Sequence, residues 1–107
     1  MELDEIIAIY KRLGPDDQNK LKALLKAKHF FNLAVDEDSS SAYSEAFQYA
    51  EQAFKYSPYS TEIQYIAGIS RLKAWGDKDY ALKKYKLLMT LGPEGVEFAN
   101  KLKSEIP

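Results

Sequence analysis

Apolar residues fall three and four positions apart in almost every stretch between the glycines and prolines of this chain, without convincing two-residue alternation. That rhythm predicts an all-α fold. Leu3, Ile6, Ile7, Tyr10 and Leu13 make one stripe of a first helix over 3–13, which Gly14-Pro15 ends. Asp16 and Asp17 suit the positive start of the next helix, 15–36, the longest pattern in the chain. It carries Leu21, Leu24, Leu25, Phe31 and Val35 on one side and Lys22, Lys26 and His29 on the other. The polar run DEDSSS, 36–41, reads as a turn between antiparallel helices, too short for a domain linker.

The third helix, 42–57, is the cleanest amphipathic segment, with Tyr43, Ala46, Phe47, Tyr49, Ala50, Ala53, Phe54 and Tyr56 filling one arc. Its alanines let a neighbouring backbone come close while the aromatics fill the grooves beside it. Ser57-Pro58-Tyr59 breaks the pattern, and Ser60 or Thr61 caps a fourth helix that runs to Trp75 and stops at Gly76. A fifth helix over 77–91 turns Ala81, Leu82, Tyr85, Leu88, Met89 and Leu91 inward, and Gly92-Pro93 stops it as Gly14-Pro15 stops the first. The last, 93–106, buries Val96, Phe98, Ala99 and Leu102.

These helices repeat. With Ala34 laid on Gly68, and Ala46, Ala50, Ala53 and Pro58 laid on Ala81, Tyr85, Leu88 and Pro93, the segments 27–60 and 61–95 superpose, 34 and 35 residues long. Phe30, Leu33 and Ala34 supply the aromatic, leucine and small residue of an opening helix; Tyr43, Ala46, Ala50, Ala53 and Pro58 supply the closing one. Ala67, Gly68, Gly76, Ala81, Tyr85, Leu88 and Pro93 match in the second segment. Ala50 and Gln64 replace expected aromatics, and one extra residue sits near Trp75. On these residues about two thirds of the chain resembles the tetratricopeptide-repeat family, whose 34-residue units are helix pairs.

The resemblance implies antiparallel hairpins stacked as a right-handed superhelix of about six helices, in one domain spanning 1–107. In that arrangement 1–26 holds the first helix and the start of the second, 27–60 and 61–95 are the repeats, and 93–106 caps the array. Pro15 then stands where Pro58 and Pro93 stand, yet Pro15 to Pro58 is 43 residues against 35 for the next interval. The second helix is therefore overlong by about two turns.

Composition narrows function by exclusion. Fifteen Lys+Arg against sixteen Asp+Glu give a net charge of −1, which disfavours nucleic acid and anionic membranes except through a local patch. Without cysteine, and with His29 alone, neither thiolate metal sites nor a histidine cluster can form. The acidic start MELDEII does not resemble a signal peptide, and no apolar run spans a bilayer, so the expectation is a cytoplasmic protein without membrane association. No phosphate loop, metalloprotease helix, nucleophile elbow or calcium loop is present; DEDSSS lacks the glycine and distant glutamate of the last. Asp36 and Asp38, or Asp77 and Asp79, could pair as acid and base but sit at helix boundaries where acids act as caps. No enzyme and no cofactor is expected.

In this family the opening helices line a concave groove, and the matching positions here are Lys28, Phe31 and Val35, then Glu62, Tyr65, Ile69 and Leu72. The resemblance implies a protein-interaction module or adaptor that holds a peptide or partner helix by side-chain burial. Tyr65 and Ile69 stand at two positions where some members carry a carboxylate clamp, so that mode is not matched. The same residues could instead be covered by the protein's own terminal helices or by a second copy in a homo-oligomer. Lys20, Lys22, Lys26, Lys28 and His29 make the second helix locally basic, which keeps a nucleic-acid or acidic-partner role open beside a solvated face. Trp75 could anchor a partner or close its helix against the next.

Overall fold

A computed structural model describes residues 14–55 and 60–107, so the expected helix over 3–13 and the break at Pro58 lie outside the described residues. Within them the regular structure is entirely α-helical. Five helices follow one another: α1 (Pro15–Glu37), α2 (Ser40–Phe54), α3 (Thr61–Trp75), α4 (Lys78–Leu88) and α5 (Gly92–Glu105). None is long and apolar enough to cross a membrane.

Local chemistry sets most of the ends. Pro15 opens α1 where its missing N–H costs nothing, and Asp38 closes it in the left-handed region (φ 49°), its N–H donating to the Ala34 carbonyl. Ser39 then caps α2, its Oγ accepting the Ala42 N–H at 3.3 Å. The run DEDSSS is consequently not a six-residue turn, because only Asp38 and Ser39 separate the helices. At the far end of α3, Gly76 adopts φ 67° and donates its N–H to Leu72 O at 2.8 Å. Asp77 next caps α4 by accepting the Tyr80 N–H at 3.0 Å.

The fifth predicted helix stops three residues early, at Leu88. Thr90 Oγ donates to the Leu87 carbonyl at 2.6 Å, so a side chain takes up a carbonyl at the helix end, and Met89 turns outward, 42% exposed. Gly92 then takes φ 80° at the start of α5.

Each helix packs against the next, and in addition α1 lies against α3 and α3 against α5. The odd-numbered helices thus form one layer, with α2 and α4 behind them. Ala23, Ala27, Ala46, Ala50, Ala53 and Ala67 are buried with Phe47, Ile63 and Ile66 where α1, α2 and α3 meet. Ile69, Leu72, Ala81, Leu88, Ala99 and Leu102 form the second core with Ala34 of α1 and Tyr43 of α2, around the middle and end of α3. Buried alanines at the crossings remove the Cβ branches that would hold helices apart. Helix α3 is buried on most of its circumference, including Gln64 and Ser70, because it alone packs against all four other helices.

Candidate functional site

The layer of odd-numbered helices presents a shallow cleft of about 110 Å³ between α1, α3 and α5. Helical spacing brings its side chains together: Phe31 and Asn32 lie one turn after Lys28 on α1, and Tyr65 and Ile66 one turn after Glu62 on α3. Phe98 enters from α5. Phe31 meets Tyr65 edge-on with ring centres 5.8 Å apart, and Tyr65 lies tilted over Phe98 at 5.0 Å. Behind them Phe31 also meets Tyr43 of α2 at 6.3 Å. The aromatic cluster is therefore fixed from four helices.

An ion pair marks the rim, with Lys28 Nζ 3.1 Å from Glu62 Oε1. Both side chains are well exposed, so the pair orients more than it stabilises. Burial pushes the Tyr65 phenol above its ordinary range, and the nearby Glu105 carboxylate acts in the same direction. The phenol therefore keeps its proton to a higher pH than a free tyrosine does.

Four of the seven groove positions expected from sequence, Lys28, Phe31, Glu62 and Tyr65, line this cleft. Val35 follows one turn after Phe31, does not line it, and is 53% exposed. Ile69 and Leu72 are only 3% and 8% exposed, packed with Ala99 and Leu102 in the second core. They have little surface to offer a ligand because α5 occupies the face of α3 on which they sit. Asn32, Ile66 and Phe98 line the cleft without having been singled out as groove residues. The resemblance aligned only the repeat helices, so it contained no signal for Phe98 of the capping helix, α5.

On the side of α3 that faces α2 and α4, Arg71 stands among three rings, its guanidinium 5.1 Å from Phe47, 5.2 Å from Tyr80 and 5.6 Å from Trp75. Its Nε donates to Asp77 Oδ2 at 2.7 Å. This bond, followed by the Tyr80 N–H bond, holds the Asp77 carboxyl below the usual range. Trp75 closes α3 edge-on against Phe47 at 5.5 Å while staying 54% exposed. The basic face of α1 divides: Lys28 joins the cleft, and Lys22 and Lys26 line a separate cavity against α2. Among the described residues there is no group of three or more His, Asp or Glu side chains arranged to hold a metal ion.

No family model matches the chain, and no significant match was found among curated proteins or solved structures.

Proposed function

We propose that this chain is a non-catalytic protein-interaction module, a short tetratricopeptide-like helical stack that holds a peptide or partner helix in the α1–α3–α5 cleft. The observation that carries this reading is the convergence of Phe31, Tyr65 and Phe98 at one concave surface with an ion pair at its edge. Rigid, partly exposed aromatic rings bury much area for little loss of freedom, which suits them to anchor a side chain. The Lys28 and Glu62 pair offers a register point for one charged residue of the partner. Helix pairs in sequence and buried small residues at the matched positions Ala34 and Gly68 support the repeat-like stacking.

The test fills the cleft from its exposed edge. Asn32→Arg places a long side chain into the cleft while replacing an exposed residue, so the core is untouched. A partner identified by affinity capture and confirmed as a synthetic peptide should bind at least tenfold more weakly to Asn32→Arg in fluorescence polarisation. Equal binding by both proteins would place the interaction elsewhere. Sedimentation of the free protein checks the second reading, in which the face pairs with another copy: a dimer lost on Asn32→Arg would favour a homo-oligomer.

A further inference from the structure

A second concavity, about 420 Å³, lies between the first half of α1 and the end of α2, apart from the aromatic cleft. Its lining is Asn19, Lys22, Ala23 and Lys26 from α1 with Gln52 and Lys55 from α2. Antiparallel pairing of these helices brings together three ammonium groups and two side-chain amides, with no carboxylate among the described lining residues. This is unexpected in a chain whose net charge is −1.

Acids elsewhere do pair with cations: Lys28 with Glu62, Arg71 with Asp77, and Lys73 with Glu105. Lys22, Lys26 and Lys55 have no ion-pair partner among the described residues. Glu51, beside Gln52 in sequence, exerts its field on Arg71, Tyr80 and Lys84 on another side of α2. Lys22 and Lys26, four apart on one helix, also repel each other, a local cost that an anion between them removes. Lys26 is steadied by the Tyr49 ring, 5.2 Å from its Nζ, which reduces the freedom lost on binding.

We propose that this cavity is a binding site for a small phosphate-bearing ligand, held by Lys22, Lys26 and Lys55 and oriented by Asn19 and Gln52. Three positive charges match a diphosphate group, whereas a single carboxylate would leave two of them uncompensated. Lysine acts as a point charge and suits phosphate without the planar fork that selects carboxylates. Concavity favours a compact ligand over an extended phosphate backbone.

Inorganic pyrophosphate is the probe, titrated by calorimetry at low and at physiological ionic strength. Saturable one-to-one binding is expected, weakened about tenfold by each of Lys22→Gln, Lys26→Gln and Lys55→Gln and abolished by the triple variant. The exposed α4 lysines supply the comparison: Lys78→Gln, Lys83→Gln and Lys86→Gln together should leave affinity within twofold of wild type. Gln52→Glu, which keeps the lysines but adds a negative charge to the lining, should also weaken binding and guards against misfolding of the triple variant. In thermal melts pyrophosphate should raise the midpoint of the wild type and not of the triple variant. Absence of saturable binding, unchanged binding by Gln52→Glu or the triple variant, or equal loss in the α4 comparison overturns the proposal. Tighter binding of duplex RNA with the same lysine dependence would overturn it in favour of a nucleic-acid surface.

Discussion

Tyr80 shows how far one side chain's chemistry departs from its free behaviour. Its ring lies beneath two cations, Arg71 and Lys84, each 5.2 Å from the centre, and its phenol is pushed up to about 12. Burial is the main cause and Glu51 adds to it, while Arg71 opposes it. Burial also pushes the Lys84 ammonium down. Because the folded phenol holds its proton above the ordinary value of 10.0, its contribution to stability is complete below pH 10 and is lost as pH rises towards 12. Among the five described tyrosines, Tyr80 should therefore form phenolate last, and Tyr80→Phe should remove that step and flatten the alkaline fall in melting temperature. An unaltered late step in the variant would contradict the assignment. Little of this could be read in advance, because Arg71, Lys84 and Glu51 come from three different helices. That Lys28 and Phe31 share one face, and Glu62 and Tyr65 another, was legible from helical spacing alone, and these four line one cleft. The lysine cavity was not, because Lys55 and Gln52 join Lys22 and Lys26 only through the pairing of α1 with α2.

At the scale of elements, stops with steric causes were the readable ones. Gly76 marks the end of α3 in sequence and in structure, since its φ of 67° is easy for glycine alone. The serine-rich run was misread because serine serves both turns and helix starts, and only the fold decides which. Two other glycines matter for contact and not for φ. A Cβ on Gly68 would sit 2.9 Å from Leu102 Cδ2 and 3.3 Å from Lys84 Cβ. A Cβ on Gly95 would strike the Leu88 carbonyl oxygen and come within 2.8 Å of Leu91 Cβ. Overpacking costs about 1–3 kcal/mol, and the gain in helix propensity from glycine to alanine offsets about 1 kcal/mol of it. Gly95→Ala should lower the urea midpoint more than Gly68→Ala, since a backbone carbonyl yields less than a leucine terminus. The reverse order would mean that α5 shifts freely on α4.

Across the molecule, stability rests on α3 and on what α5 adds to it. Leu102 is fully buried against Ile69, Leu72 and Leu88, so Leu102→Ala should cost about 2–5 kcal/mol of a total that for such domains is about 5–15 kcal/mol. If the five helices unfold as one unit, Trp75 fluorescence and helix content will show the same lowered midpoint. A shift in helix content alone would reveal that α5 melts separately. The all-α class was legible from periodicity. The covering of Ile69 and Leu72 was not, because a matched groove position carries no information about what packs over it.

The order of packing has a kinetic side. Each described helix packs only against partners one or two places away in the chain, so α1 never has to find α5. Ordering can therefore advance as a series of short loop closures, each with a small entropic cost, without one long-range search. During synthesis α1 and α2 can begin to meet before α5 has been made, and each later helix finds a surface already waiting for it.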